Sequence, residues 1–373
     1  MSNPAVFSLS GFNSTVNYRV TLSSLTLLTY GAILVVNVTL ILTIILDQSL
    51  HEPMYICLCN LCINAIYGTT AFYPKFVYDL LSDIHVISYV GCFLQVYIIY
   101  SYATIDFSIL ALMAYDRYVA ICRPLKYHSE MSMRRTSVLV FLSWLVPLVF
   151  EILVLTLTST LKLCSSHIEK LYCANWSIVK LACSSTKAND IVGLLIISIY
   201  IGHVVFIFTS YVHLVLSALK SRESVRKFTQ TCVPHLLCLL NVTAALLFDL
   251  MYSRYGSASV PQSLKNFMAV QFLMVPPLLN PIIYGVILTR IRHRIISFFH
   301  KAFRIHERDI IITHVYIHSD VDISRCLTSR TRAECVEQTS KVIDHLSSNT
   351  VTLLQMLSLR SHARKESWSN CEQ

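Results

Sequence analysis

The sequence predicts an all-α membrane protein built as a bundle of seven spanning helices. Of its 373 residues, 54% are hydrophobic and only 14% are charged, which is not the composition of a soluble globular domain. Apolar runs of about twenty residues have the length of a membrane span, and an up-and-down helix bundle satisfies their backbone in lipid. Seven such runs lie at 24–46, 54–80, 88–118, 138–159, 191–219, 228–252 and 262–288.

The basic residues between these runs set the expected orientation. With the N-terminus outside, the larger share of the Lys and Arg residues falls on the cytosolic side. The segment before the first run has no basic start, apolar core and cleavage site, so we expect the first helix to direct insertion. The net charge of +9 does not indicate nucleic-acid binding, because the basic residues cap helices. It suits a lipid bilayer with an anionic cytosolic leaflet and an acidic partner.

Residues 1–23 are expected to form an extracellular tail. Asn13 begins a glycosylation sequon there, and Asn175 begins a weaker candidate in the loop after the fourth run. In the first run, Asn37 is a lone amide among apolar residues, which suits a hydrogen bond between helices. Pro53 follows a very short turn and suits the first turn of the second helix.

The third run ends in Met-Ala-Tyr-Asp-Arg-Tyr-Val-Ala-Ile-Cys, residues 113–122. Asp116 and Arg117 are costly at the end of a membrane helix, so they must lie at the water boundary, pair internally or meet a partner. An arginine whose neutralisation depends on the helix arrangement can act as a two-state latch. An arginine that only anchors the helix would extend into the cytosol. The ten-residue run resembles the third-helix signature of vertebrate odorant receptors, within the rhodopsin-like G-protein-coupled receptors.

Two further segments carry the resemblance. Residues 227–236 resemble the start of helix six in odorant receptors, with departures at Phe228, Gln230 and Pro234, and we interpret His235 as a boundary residue that faces the transducer. Residues 276–285 contain the Asn-Pro-x-x-Tyr motif of the family. Because proline removes a backbone hydrogen bond, Pro281 predicts either an activation hinge or a purely structural kink. The basic and apolar mixture at 290–299 predicts a short amphipathic helix on the membrane surface.

The resemblance implies an odorant receptor of the plasma membrane, with the rhodopsin-like bundle and surface helix at residues 24–299. It implies that an extracellular small-molecule odorant activates a heterotrimeric G protein of the olfactory stimulatory type, which raises cyclic AMP in sensory cilia. It implies no cofactor. The residues that the resemblance assigns to coupling and activation are Asp116, Arg117, Tyr118, Tyr211, His235, Asn280, Pro281 and Tyr284.

Four cysteines are expected on the oxidising side of the membrane. Cys92 lies at the outer end of the third run, and Cys164, Cys173 and Cys183 lie in the loop after the fourth. Three pairings of four cysteines are possible. The resemblance implies the pairs Cys92–Cys173 and Cys164–Cys183.

Asp106 is an ionisable residue deep in the third run, which makes it a functional candidate by default. Rhodopsin-like receptors usually carry an aspartate where Ala65 stands. Asp106 either replaces that acid as a cation ligand or is protonated and hydrogen-bonded to Asn37, Asn64 or Asn280. No cluster of ligands at metal-site spacing is present in the sequence.

The ligand pocket is expected among helices three, five, six and seven, beneath the disulfide-tied loop. Ile99, Tyr100, Ala103 and Thr104 share one face of the third helix by their spacing. Plain core packing explains these residues, and the four candidates that follow, as well as ligand contact does. The family alignment adds four further candidates: Leu195, Leu246, Leu247 and Val270.

Other functions fit the sequence less well. A rhodopsin-like receptor for another small molecule is the alternative, but Met274 stands where opsins need a lysine and Ile99 where amine receptors use an aspartate. A transporter or channel would line a path with buried charges or contain inverted repeats, and we count only Asp106 as deeply placed. The sequence contains no nucleophile elbow or phosphate-binding loop, so we do not expect an enzyme.

Two further observations concern the C-terminal segment and the subgroup of the family that the sequence resembles. Residues 300–373 contain no spanning run, and they fit a disordered or weakly helical cytoplasmic tail, a gene-model extension or a signalling tail equally well. The segments 61–64 and 248–249 are closer to fish-type members of the family, which implies water-borne odorants.

Overall fold

The computed structural model describes residues 4–10, 18–218, 232–246, 262–298 and 300. Several features discussed above therefore lie outside the described residues. These are Asn13, Leu247, residues 248–249, the start of the predicted sixth span before residue 232, and the tail beyond residue 300.

Long helices make up most of the described chain. We number those of ten or more residues α1 (Arg19–Leu46), α2 (Pro53–Leu81), α3 (Tyr89–Cys122), α4 (Met133–Ser159), α5 (Lys187–Ala218), α6 (Cys232–Leu246), α7 (Gln262–Ile287) and α8 (Thr289–Phe298). Shorter helical turns lie at Gln48–Leu50, Pro124–Lys126, Tyr127–Glu130 and Asn175–Val179.

Within the described residues, each of the seven predicted spans overlaps one of these helices. In the described part of the chain, α1 to α5 are long and apolar enough to cross a membrane, and α6 is a shorter apolar helix. The end of α7 and α8 form a pair that is bent by 94°. The helix α1 begins at Arg19 rather than 24, and α4 begins at Met133 rather than 138. Hydropathy marks only the apolar part of a helix, whereas its polar ends continue into the headgroup region.

The helix α3 lies at the centre of the described bundle, where it packs against α2, α4 and α5, while α1 packs against α2 and α7. The approach of α2 to α3 is close at Gly68, because a Cβ atom there would collide with the Tyr102 ring. Many large apolar side chains point outward, which is the favourable direction only when the surroundings are lipid. Examples from four helices are Leu25, Leu28, Ile63, Phe141, Leu153 and Phe208.

A small sheet and two disulfides cap one end of the bundle, which we call the disulfide end. The strand β1 (Val6–Leu9) lies between β2 (Val86–Ser88) and β3 (His167–Ile168), antiparallel to the first and parallel to the second. Disulfides join Cys92 to Cys173 and Cys164 to Cys183, which are the two pairs that the resemblance implies. The first of them attaches the loop after α4 to the first turn of α3.

Candidate ligand cavity and coupling site

A cavity of about 240 Å³ lies between α3, α4 and α5, near the disulfide end. Its walls are mostly apolar with a few polar groups, as expected for a small-molecule site. The side chains that line it include Tyr100, Thr104, Phe107, Val146, Phe150, Glu151, Val154, Asn175, Asn189, Ile196, Tyr200, His203 and Leu246.

Two sets of hydrogen bonds connect the walls of this cavity. Thr104 donates to the backbone carbonyl of Tyr100 at 2.7 Å, and its Oγ1 lies 2.9 Å from the Tyr200 hydroxyl, which is therefore the donor in that pair. This contact links α3 to α5. At the wall nearest the disulfide end, the side-chain oxygen of Asn175 accepts from Thr158 at 2.9 Å, and Asn189 donates to Thr158 at 3.2 Å.

The structure places the eight predicted ligand residues in different environments. Tyr100, Thr104 and Leu246 line the cavity. Ile99 and Ala103 are buried in the core instead. The position of the cavity also differs from the expectation, because α4 supplies a wall and no described residue of α7 does.

The remaining predicted ligand residues lie away from this cavity or outside the described residues. Leu195 is 53% exposed on the outer surface of α5, where it would meet lipid. Val270 on α7 is partly buried against the core, and Leu247 lies outside the described residues. Because both faces of a membrane helix are apolar, the sequence did not indicate which residues of α5 turn inward.

Glu151 on α4 is a cavity residue that sequence reasoning missed. It is only 5% exposed and lies among the lining residues. The expectation that Asp106 is the only deep ionisable group is therefore wrong. A signal was available, since Glu151 is the one acidic residue in an otherwise uncharged apolar run that extends to the end of α4.

At the opposite end of the bundle, Asp116 joins α3 to the turn that follows it. Arg117 donates through Nε to the Asp116 carboxylate at 2.8 Å, and the Tyr127 hydroxyl donates to the other carboxylate oxygen at 2.9 Å. Asp116 is fully buried. Burial, followed by the charge of Asp116, raises the pKa of Tyr127, so this hydroxyl stays protonated as a donor. Tyr118 is partly buried nearby, with Arg123 over its ring.

His235 does not face outward from the bundle, so the interpretation of this residue as a boundary group is wrong. It is 1% exposed, its Nε2 lies 3.0 Å from the carbonyl oxygen of Leu110 on α3, and its Nδ1 contacts the Tyr211 hydroxyl on α5. Since the carbonyl can only accept, Nε2 carries the proton and Nδ1 accepts from Tyr211. A buried histidine needs such partners, and they connect α6 to α3 and α5.

In α7, the backbone carbonyl of Pro277 has no hydrogen-bond donor in its own helix, and a neighbouring helix supplies one. Pro281 has no N–H to donate to the carbonyl of Pro277. Asn37 on α1 donates to that oxygen at 2.9 Å and also to the carbonyl of Ile33 at 2.8 Å. Nearby, Asn241 on α6 donates to the side-chain oxygen of Asn280 at 3.2 Å.

Tyr284 is fully buried one turn further along α7. Its hydroxyl group lies near the Cys238 thiol of α6. The side chains of Asn280 and Tyr284 therefore face α6 and are buried, whereas Ile282 between them is exposed.

Asp106 is hydrogen-bonded to one of the three amides considered above. Asn64 on α2 donates to its carboxylate at 2.7 Å. A small cavity of about 10 Å³ lies between Asp106, Asn37 and Asn280, and the side-chain oxygens of Asn37 and Asn64 have no hydrogen-bond partner among the described residues. In the described ranges, no group of three or more His, Cys, Asp or Glu side chains could hold a metal ion.

The surface helix α8 is attached to the turn between α1 and α2. Arg290 forms an ion pair with Glu52 at 2.9 Å, and Arg294 forms one with Asp47 at 2.9 Å. A hydrogen bond from the Ser49 hydroxyl lowers the pKa of Asp47 and keeps it ionised for this pair. These contacts place α8 beside the end of the bundle that carries Arg117.

Comparison with known proteins finds similarity to olfactory receptors. The family model described as "Olfactory receptor" matches residues 26–302. Human olfactory receptor 52J3 is 30% identical over 307 residues, 80% of this chain and 97% of that protein. Mouse olfactory receptor 2A7 is 33% identical over 75% of this chain and 91% of its own length. Human olfactory receptor 11A1 is 36% identical, with coverages of 68% and 81%.

Proposed function

Because this chain belongs to the olfactory receptor family, we propose that its cavity between α3, α4 and α5 binds the odorant and that its Asp116–Arg117–Tyr127 cluster controls coupling to the G protein. The chain is an odorant receptor with a seven-helix bundle, not an enzyme. The observation that carries the proposal is the presence of both features on α3, at opposite ends of one helix.

The proposed orientation places the disulfide end outside the cell and the Arg117 end in the cytosol, in the plasma membrane. Three features support this orientation. Disulfides persist in oxidising compartments, and the arginines of α8 (Arg290, Arg292 and Arg294) suit the anionic cytosolic leaflet. The sequon at Asn13 agrees with an N-terminus outside the cell.

An odorant in the cavity contacts both α3 and α5, so it changes the relative stability of their arrangements. The bridge from Tyr211 through His235 to the Leu110 carbonyl joins α5 and α6 to α3. Movement of α5 changes the geometry of this bridge. We propose that its rearrangement opens the cytosolic end, where Arg117 leaves Asp116 and contacts a stimulatory G protein.

The residues of α7 act as the hinge in this mechanism. Asn37 and Asn241 hold the segment around Pro277 and Asn280 in the arrangement described here. Asp106 is the cation ligand that we propose for the same region, because unpaired side-chain oxygens of Asn37 and Asn64 lie near it. A bound monovalent cation would favour this resting arrangement by linking α1, α2 and α3.

The proposal is tested by cyclic AMP in cells that express the full chain at the surface. Pools of amino acids, bile acids, steroids and volatile odorants are applied to wild type, Arg117→Ala and the control Arg134→Ala, which changes an exposed arginine of α4. We expect Arg117→Ala to abolish the response and Arg134→Ala to retain most of it. An undiminished response in Arg117→Ala, or no response of the surface-expressed wild type to any pool, would contradict the proposed coupling.

A further inference from the structure

Glu151 is a buried acid that the mechanism above does not use. Its side chain lies on the α4 wall of the cavity and is almost inaccessible from outside. Among the described residues, no hydrogen bond or ion pair is formed with the Glu151 carboxyl group. The carboxyl group is therefore an unpartnered polar group inside a cavity that is otherwise suited to a small molecule.

Among the described residues, none that surrounds Glu151 carries a fixed positive charge. The lining residues include no Lys or Arg. His203 also lines the cavity, but its Nδ1 donates to the Ile199 carbonyl at 2.9 Å within α5, and no contact between His203 and Glu151 is observed. The other titratable groups near enough to interact with the carboxylate are the hydroxyls of Tyr67, Tyr97 and Tyr200. These groups are neutral, so none of them compensates a negative charge.

An ionised carboxylate in apolar surroundings is strongly unfavourable unless a cation pairs with it. Such a residue inside a membrane bundle marks a functional site by default. A ligand that carries its own positive charge would remove the penalty and gain a charge-assisted hydrogen bond. A neutral ligand of the same shape would leave the carboxyl group unpaired or protonated.

The rest of the cavity restricts the ligand to a small molecule with one polar end. Val146, Phe150, Val154 and Ile196 are apolar. A cavity of about 150 Å³ accepts benzene, so the observed volume of about 240 Å³ accommodates a small ring or branched chain with a short polar arm.

On the premise of the proposed odorant function, we propose that this receptor binds small primary amines, with the ammonium group against Glu151 and the hydrocarbon part between α3, α4 and α5. A primary amine resembles the lysine side chain, whose pKa of about 10.4 keeps it charged at neutral pH. Receptors that use an aspartate at the position of Ile99 would hold the ammonium from α3, whereas here the acid lies on α4.

The test measures ligand binding without G-protein coupling. The full chain is reconstituted in lipid nanodiscs, and thermal stabilisation is titrated with 2-phenylethylamine and isoamylamine and with their alcohols, 2-phenylethanol and isoamyl alcohol. Stabilisation by ligand reports the apparent dissociation constant. We expect each amine to bind about 10- to 100-fold more tightly than its alcohol, the factor of a charge-assisted hydrogen bond.

Three variants assign the preference to Glu151. Glu151→Gln keeps the size and removes the charge, so it should abolish the preference for amines. Glu151→Asp keeps the carboxylate and should retain part of it. Glu169→Gln is the matched control, because it makes the same change at an exposed loop residue of the disulfide end, and it should behave as wild type.

Several outcomes would overturn the inference. They are equal binding of amines and alcohols, an amine preference that survives Glu151→Gln, and a lack of binding by either amine. Amine binding that depends on Glu151 in a receptor that never activates a G protein would instead support the inference and contradict the proposed coupling, so the two failures are distinguishable.

Discussion

The hydrogen bond from Asn37 to the Pro277 carbonyl predicts a specific energetic coupling between α1 and α7. Asn37→Ala removes the donor that satisfies this carbonyl, which Pro281 cannot reach because it has no N–H. In a Pro281→Ala background, the new N–H of residue 281 can bond to the same carbonyl. The loss of Asn37 should then be less harmful, so the two substitutions should not be additive.

The magnitude follows from the burial of this contact. A buried carbonyl without a partner costs about 1–3 kcal/mol, whereas hydrogen bonds between membrane helices have measured contributions of about 0.6 kcal/mol on average, with a maximum near 1.7. Asn37 also loses its bond to the Ile33 carbonyl. We therefore expect Asn37→Ala to lower the free energy of unfolding by about 2 kcal/mol alone and by about 1 kcal/mol in the Pro281→Ala background.

Equilibrium unfolding of the purified receptor in mixed micelles measures both values, using the four members of the double-mutant cycle. Thr39→Ala is the matched control on α1, because the Thr39 hydroxyl bonds to the Val35 carbonyl of its own helix. It should change stability by less than about 0.5 kcal/mol and should show no coupling to Pro281→Ala. An equal cost of Asn37→Ala in both backgrounds would refute the reasoning that Asn37 compensates for Pro281.

Two further predictions concern packing and the disulfides. Gly68→Ala should lower the unfolding free energy by about 1–3 kcal/mol, because the added methyl group collides with the buried Tyr102 ring. In the control Gly31→Ala, the added methyl group meets open space, so the change in stability should be near zero. Equal stabilities of the two variants would disprove the close contact at Gly68. Replacing both cysteines of Cys92–Cys173, which are 81 residues apart, should cost more than replacing both of Cys164–Cys183, which are 19 apart. The loop-entropy relation gives about 4.5 against about 3.2 kcal/mol, and the reverse order in non-reducing denaturation would contradict it.

Much of the fold could be predicted from local sequence. The seven apolar runs coincide with helices because, in lipid, an apolar segment of spanning length must satisfy its own backbone hydrogen bonds. The extended motif around Asp116–Arg117 and the Asn-Pro-x-x-Tyr motif at 280–284 indicated the family, and the family match agrees. The strand β1 was not predicted, because four residues of a short tail form a strand only through pairing with β2 and β3, which are distant in the sequence.

The tertiary structure decided how each helix is rotated about its axis and which side chains it presents to its neighbours. Lipid and protein interior are similarly apolar, so hydropathy does not separate the inner face of α5 from the outer face that carries Leu195. The inward position of Glu151 and the bridge from His235 to Leu110 depend on contacts between helices. The same is true of the bond between Asn37 and Pro277, whose residues lie 240 positions apart. The sequence determined the helices and the family, whereas the packing of the helices determined the site, because only packing brings such distant groups within bonding distance.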